Sequence, residues 1–179
     1  MAPIPLPGPL GPAADALRGW LLARLAVPPL GPTGPNPAVG EPENLIHLTD
    51  LTETLISYDS TNADFSGSTP TLDDLAHVRY ELRDQQGALV GTTKGIGRML
   101  RKGPDGNFLG YFSEEIRLID GHVIRTGGIV DDARLTLGEQ QTIKAVAVAG
   151  PLRGAIGFRQ FRPVETHKSY ASAIVLYRR

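Results

Sequence analysis

The sequence predicts an all-β protein, an eight-stranded antiparallel β-barrel that follows a proline-rich N-terminal arm containing one short helix. Three observations support this fold class. Eleven of the 15 prolines lie within the first 43 residues, and from residue 44 onward the apolar residues recur at the spacing of strands. Glycines also fall inside the predicted strands, where the wall of a small barrel has to bend, and this favours a closed barrel over a sandwich.

The arm, residues 1–43, is predicted to lie outside the main fold because proline interrupts both helices and sheets. Its exception is a helix at about residues 13–27, which Pro12 can begin and Pro28 ends. One face of this helix is apolar and carries the only Trp of the chain. That face consists of Leu17, Trp20, Leu21 and Leu25. A helix this short is marginal alone in water, so its apolar face needs a surface to pack on.

Residues 44–179 form the predicted barrel domain. Short turn-forming sequences separate most of its strands, as hairpin connections require, and only the connection at 60–74 is long. No helix is predicted after residue 43. The predicted strands are 45–58, 75–84, 88–101, 107–119, 122–132, 139–149, 152–164 and 167–178.

Strand alternation predicts a polar or charged side chain inside this barrel. In the second strand Val78 and Tyr80 share the face expected to point inward. In the seventh strand either parity turns an Arg or a Gln inward, and Arg159 shares a face with small and aromatic residues. A buried charge needs a partner, and Glu114 on the fourth strand is the partner we predict for Arg159. The pair would be either a structural ion pair or the polar anchor of an apolar ligand cavity.

Composition argues against several classes of function. The formal net charge of −1 gives no attraction to nucleic acid or to a membrane surface, and no stretch approaches the roughly 18–20 apolar residues of a membrane span. There is no cysteine, which removes disulfides and Cys-ligated zinc and agrees with a cytoplasmic location. The four histidines fall on four different predicted strands, so no metal site is predicted. No nucleophile elbow or dinucleotide-binding loop is present, so hydrolase and redox mechanisms are not indicated.

Three segments taken together resemble a known family. They are 80–92, which begins Tyr-Glu-Leu-Arg-Asp; 111–116, Tyr-Phe-Ser-Glu-Glu-Ile; and 154–162, Gly-Ala-Ile-Gly-Phe-Arg-Gln-Phe-Arg. In this order and spacing the chain resembles the small β-barrel spirocyclases of actinobacterial polyketide pathways. Those enzymes are isomerases that form spirotetronate or spirotetramate rings by intramolecular [4+2] cyclisation, and they belong to the allene oxide cyclase-like barrels.

The resemblance implies a Diels–Alderase that needs no cofactor and folds a linear polyketide inside a hydrophobic barrel cavity. Phe112 stands where the family has a pocket Tyr, and Phe161 stands where it has a gating Trp. Tyr80, on the inward face of its strand, is the candidate replacement for the missing phenol. The predicted catalytic residues are Arg159, Tyr80 and Glu114, and the predicted substrate-binding residues are Val78, Phe112, Ile143, Phe161 and Gly157.

Some members of that family carry an N-terminal helical segment that folds over the barrel mouth. The predicted helix of this chain resembles such a lid, with the Pro/Gly-rich stretch 28–42 as its tether. The full expectation is therefore an eight-stranded antiparallel β-barrel with a short N-terminal helical lid. A merely structural helix is the alternative.

Two other functions stay open at this point. One is a different cyclase of the allene oxide cyclase-like group, acting on an oxylipin or another polyketide. The other is a lipocalin-like carrier, which would bind the linear polyketide or its product unchanged. Separately, the apolar residues Ile156 and Phe158 at outward positions favour a homodimer.

Overall fold

The eight-stranded barrel is confirmed in the computed structural model, which describes residues 42–62, 71–103, 106–165 and 168–178. Every strand is antiparallel to its neighbour in sequence, and the last strand pairs with the first, so the sheet closes on itself. A short 3-10 turn at Pro42–Asn44 leads into the barrel. The strands are β1 (Leu45–Ser60), β2 (Leu75–Arg83), β3 (Leu89–Lys102), β4 (Phe108–Leu118), β5 (Val123–Asp131), β6 (Gln141–Ala149), β7 (Ile156–Glu165) and β8 (Ser169–Tyr177).

The predicted N-terminal helix lies outside the described residues, together with the four residues of its apolar face. The helix, the lid and the division into an arm and a barrel domain therefore stay predictions. Among the helices in the described ranges, none has the length and apolar character that crossing a membrane demands.

The prediction that no helix follows residue 43 is wrong. A five-residue helix, α1 (Asp132–Thr136), is inserted between β5 and β6. It begins because the side chain of Asp131 accepts a hydrogen bond from the backbone N–H of Arg134 at 3.2 Å, a regular N-cap. It ends at Thr136, and Gly138 two residues later has a φ of +80°, the left-handed conformation that glycine adopts freely. One helical turn is too short to give a recognisable apolar period in the sequence.

The predicted start of the seventh strand, residue 152, is also wrong. Residues 151–154 form a turn between two glycines with positive φ, and β7 begins at Ile156. Leu152 within this turn is buried inside the barrel, so its apolar character reflects packing at the barrel end rather than a strand.

Two apolar clusters fill the barrel, one towards each end. The cluster that we call the aliphatic end consists of Ile46, Leu51, Leu82, Ile116, Leu118, Ile124, Ala145, Ala147, Leu152, Ala155, Ile174 and Leu176. The cluster that we call the aromatic end consists of Tyr80, Val130, Leu135, Ile143, Phe161 and Tyr170, with Leu55, Val78 and Phe112 packed against it. The inward direction predicted for Val78 and Tyr80 is therefore confirmed.

Glycines in β3 make room for large side chains on the neighbouring strands. A Cβ at Gly97 would lie 3.2 Å from the ring of Phe112, and a Cβ at Gly95 would lie 2.9 Å from Cγ2 of Val78. Neither glycine has a positive φ, so both are required by close approach rather than by backbone conformation. Because these two glycines of β3 have no side chain, Phe112 and Val78 can occupy the interior of the aromatic end.

The residues that favoured a homodimer differ in exposure. Ile156 is 48% exposed on the outer surface, whereas Phe158 is half-buried. The homodimer stays a prediction.

Candidate active site

A layer of charged side chains crosses the barrel between its two apolar ends. The guanidinium of Arg159 on β7 donates from Nη2 to Oε2 of Glu53 at 2.5 Å and from Nε to Oε1 of the same carboxylate at 3.2 Å. From Nη1 it donates to both oxygens of Glu114 on β4, at 2.7 and 2.9 Å. The hydroxyl of Thr126 on β5 donates to Oε2 of Glu114 at 2.6 Å. The ion pair predicted between Arg159 and Glu114 is thus confirmed. With its two carboxylate partners, Glu114 on β4 and Glu53 on β1, Arg159 joins three strands.

Glu53 is the partner that sequence reasoning missed. Its side chain is fully buried, at the same depth in the barrel as Arg159. One feature of the sequence indicates that Glu53 points inward: it lies midway between Leu51 and Leu55, so the three share one face of a regular strand. Bulges on either side of this segment shift the register of β1, so the direction of its side chains does not follow from counting along the strand.

The charges of this layer do not balance when all three groups are ionised, because two carboxylates face one guanidinium. Burial raises the pKa of Glu114, and the negative charge of Glu53 raises it further, against the opposing effects of Arg159 and Thr126. For Arg159, burial acts to lower the pKa, but the attraction of Glu114 and Glu53 outweighs it and holds the pKa above its ordinary value. The guanidinium stays charged, and Glu114 takes up a proton more readily inside the barrel than it would in water.

Two small cavities lie above this layer, inside the aromatic end. One has a volume of about 20 Å³ and is lined by Glu53, Val78, Tyr80, Phe112, Glu114, Leu135, Arg159, Phe161 and Tyr170. The other has a volume of about 40 Å³ and is lined by Tyr58, Ala76, Val78, Tyr80, Gly97, Phe112, Asp132, Leu135 and Tyr170. Aromatic rings and aliphatic side chains form the walls of both, and the charged layer contributes only to the first. An apolar cavity with a few convergent polar groups is the usual make-up of a small-molecule site.

The aromatic walls pack edge to face. The ring of Tyr170 meets that of Tyr80 with centroids 5.7 Å apart and that of Phe161 with centroids 6.1 Å apart. The guanidinium carbon of Arg159 lies 4.5 Å from the centroid of Phe161, so this ring also covers the charged layer. These contacts hold the rings in fixed orientations around the cavities.

Two phenols supply neutral hydrogen-bond donors to the cavity walls. Burial raises the pKa of Tyr80, and the neighbouring Tyr170, Glu53 and Glu114 raise it further. Burial is also the main cause that raises the pKa of Tyr170. Both hydroxyls therefore keep their protons at neutral pH, and the two phenols are hydrogen-bonded to each other. Tyr170 was not among the predicted site residues, because the direction of side chains in the last strand could not be assigned from the sequence.

The structure brings together most of the residues predicted for the site. Tyr80, Glu114, Arg159, Val78, Phe112 and Phe161 all line the smaller cavity. Ile143 is buried in the aromatic end but does not line either cavity. Gly157 lies closer to the aliphatic end, where it pairs with Ala145 and Leu176. A Cβ there would come within 2.0 Å of the backbone oxygen of Val175, so strand packing accounts for this glycine.

Metal-capable side chains do not cluster in the part of the chain that the structure describes: no three His, Asp or Glu side chains come together in a way that could hold an ion. His122, the one buried histidine of the described residues, accepts a hydrogen bond at Nε2 from the backbone of Leu152 at 3.3 Å and has Nδ1 2.9 Å from Asp120. It stabilises a turn at the aliphatic end, away from the cavities.

Comparison with known proteins gives a family model and several solved structures. The model, described as an allene oxide cyclase barrel like domain, matches residues 54–176. AbnU, described as an exo-specific intermolecular Diels–Alderase, is 25% identical, with a TM-score of 0.68 over 75% of this chain and 97% of AbnU. A nonspecific heme-binding cyclase that catalyses [4+2] cycloaddition during neoabyssomicin biosynthesis is also 25% identical, with a TM-score of 0.70 over 95% of this chain and 80% of that one.

A third structure shares the fold. The Diels–Alderase AbmU from Streptomyces koyangensis is 24% identical, with a TM-score of 0.68 over 95% of this chain and 78% of AbmU. A search of curated proteins finds no match.

The charged layer makes a prediction about stability. Replacing Arg159 with Leu leaves two buried carboxylates without their counter-charge, so we expect the free energy of unfolding at pH 7 to fall by about 3–5 kcal/mol. Replacing Glu114 with Gln removes the surplus charge and keeps an amide oxygen for Arg159, so the loss should be about 1.5 kcal/mol or less. Urea denaturation followed by circular dichroism measures both; equal losses would contradict this account of the layer.

Comparing the wild type with Glu114→Gln also tests how the free energy of unfolding depends on pH. A carboxyl whose pKa is raised by folding contributes stability that is present at low pH and is lost as the pH rises through the folded pKa. The wild type should therefore lose stability relative to Glu114→Gln as the pH rises above the ordinary carboxyl range. Glu53, Tyr80 and Arg159 face the same group and are common to both proteins, so the difference reports on Glu114 and its interactions with these three residues. A difference that does not vary with pH would show that Glu114 is ionised throughout.

Proposed function

The chain belongs to the family of allene oxide cyclase barrel-like domains, and from this membership we propose that it catalyses an intramolecular [4+2] cycloaddition. The substrate that we propose is a linear polyketide with a diene and an exocyclic methylene on a tetronate or tetramate ring. The product is the corresponding spiro compound. The observation that carries the proposal is an aromatic-walled cavity above a charged layer, in a barrel shared with two cyclases at 25% identity.

A [4+2] cycloaddition needs no acid, base or redox group from the cavity walls. Two carbon–carbon σ bonds form from the π electrons of the diene and the dienophile, so no atom leaves and no proton or electron is exchanged with the protein. The main barrier that a protein can remove is the loss of rotational freedom in the linear chain. Holding the reacting ends near contact supplies up to roughly 7–11 kcal/mol in ideal intramolecular cases. In our proposal Phe112, Phe161 and Val78 form this mould, with Ile143 supporting them from behind.

The charged layer has a positioning role in this proposal. Four hydrogen bonds from Arg159 go to Glu53 and Glu114, and the side chain is 2% exposed, which leaves little donor capacity for a substrate. We therefore assign Arg159 and Glu114 to holding the walls in place. A hydrogen bond to the ring carbonyl, which would lower the barrier by a further modest amount, comes from Tyr80 or Tyr170.

That the proposed reaction is intramolecular rests on the resemblance to the spirocyclases. AbnU, by contrast, is described as an intermolecular Diels–Alderase. The two cases differ in product mass: an intramolecular product has the mass of its single substrate, whereas an intermolecular product has the summed mass of two. One assay therefore separates them.

The assay that tests the function incubates the protein with a synthetic linear tetronate or tetramate polyketide, with no added cofactor, followed by chromatography and mass spectrometry. We expect a product of unchanged mass and shifted retention that forms slowly or not at all without protein. Binding with recovery of unchanged substrate would contradict the enzyme and favour a carrier. Turnover that requires added haem would contradict cofactor independence.

Removing a wall of the mould should change the rate or the stereochemistry of the reaction. Phe112→Ala and Phe161→Ala are each expected to lower kcat by roughly ten- to a hundredfold or to change the stereochemistry of the product, because the reacting ends are then held less closely. Kinetics and chiral chromatography check this. Phe158→Ala, on the outer face of β7, is the matched control and should leave rate and product unchanged. Unchanged rate and product in both wall variants would overturn the mould.

The lid is the last part of the proposal. Residues 17–25, with Trp20 on the apolar face of the predicted helix, would close the barrel mouth over bound substrate and exclude water. Deleting residues 1–26 should leave a barrel with an unchanged melting temperature, because its eight strands close on themselves. Its activity should be much weaker. Full activity after this deletion would refute the lid.

A further inference from the structure

The helix α1 is an insertion whose one buried side chain occupies the aromatic end of the barrel. Leu135 is 6% exposed and packs among Tyr80, Val130, Ile143, Phe161 and Tyr170. Two residues further along, Leu137 is 77% exposed. Leu135 therefore enters the barrel interior from an element that is not part of its wall.

Leu135 lines both cavities. Five residues line both of them: Val78, Tyr80, Phe112, Leu135 and Tyr170. With volumes of about 20 and 40 Å³, each cavity holds only one or two waters, whereas pockets for drug-sized ligands measure roughly 300–1,000 Å³. A ligand of polyketide size enters only if one of the shared residues moves.

Of the five shared residues, Leu135 is the least restrained by its backbone. The other four are on strands that are hydrogen-bonded to a neighbour on each side. Helix α1 has one turn. Three backbone hydrogen bonds close its C-terminal end, in which the N–H groups of Leu137, Gly138 and Glu139 donate to the carbonyl oxygens of Ala133, Leu135 and Arg134, in that order. An exposed ion pair between Arg134 and Glu139, at 2.7 Å, adds little. A single helical turn is only marginally stable, so α1 opens at far lower cost than the wall does.

We propose that Leu135 is the residue that determines which ligands the barrel admits: it plugs the aromatic end, and its withdrawal with α1 joins the two cavities into one binding site. The ligand that this site takes is an uncharged, mainly apolar chain or ring, because apolar side chains line most of it. The inference rests on the proposed use of the aromatic end as the ligand site. It assigns to α1 a role separate from that of the predicted N-terminal lid.

The test measures binding of the neutral fluorescent probe N-phenyl-1-naphthylamine to the full-length protein. Leu135→Ala removes the plug and should raise the affinity by about tenfold or more, with faster association. Leu137→Ala, on the same turn but in solvent, is the matched control and should bind like the wild type. Equal affinity of the Leu135→Ala variant and the wild type would overturn the proposal, and so would an equal gain in both variants.

A second measurement does not depend on a variant that folds. Hydrogen exchange of the wild type should show faster exchange at the amides of Leu137, Gly138 and Glu139 than at the paired amides of β4, and probe binding should change the exchange of α1 alone. Protection of α1 equal to that of β4 would overturn the proposal.

Leu135→Val, which shortens the plug by one carbon, should give an intermediate affinity for the probe.

These outcomes are independent of the chemistry. Probe binding requires no reaction, so a protein that never cyclises a polyketide can still show the gain with Leu135→Ala. Conversely, cyclisation by the wild type with no change in probe affinity or KM in Leu135→Ala leaves the proposed function standing and refutes the plug.

Discussion

The fold depends on the satisfaction of one buried cation. Arg159 is buried inside a closed barrel, and an isolated charge there would be prohibitively costly. Two carboxylates from β1 and β4 surround it, so three strands well separated around the barrel are joined at one point. A guanidinium can do this because its planar array of donors meets two carboxylates at once, which the single ammonium of a lysine cannot.

This layer separates the barrel into two parts with different uses. Below it, aliphatic side chains and the turn around Leu152 fill the barrel with a conventional core. Above it, four aromatic side chains meet with imperfect packing, and the residual space forms the two cavities. The glycines of β3 contribute to the second part, since Gly97 admits the ring of Phe112 to the interior. A rigid polar floor and rigid aromatic walls suit a site that works by shape.

The barrel and two of the three charged side chains of the layer were predicted from the sequence, and each failure has a specific physical reason. Alternation along β7 required a polar side chain inside the barrel, and the cost of burying Arg159 unpaired pointed to Glu114 on β4 as its partner. Glu53 was missed since bulges interrupt β1 on both sides of it. Helix α1 was missed because five residues are too few for a helical period, and its first residue, Asp132, was included in the preceding predicted strand. Short insertions and bulges carry no periodic signal, and here they supply both Glu53 and Leu135 to the site.

The protonation states around the cavity restrict the chemistry that the site can perform. The guanidinium stays charged and engaged, and both phenols stay protonated. Glu114, whose pKa is raised, has its oxygens occupied by Arg159 and Thr126. None of these groups is arranged to take a proton from a substrate without first breaking the layer on which the barrel depends. What the walls can offer without that cost is shape and a neutral hydrogen bond, and a pericyclic ring closure is a reaction for which those two contributions suffice.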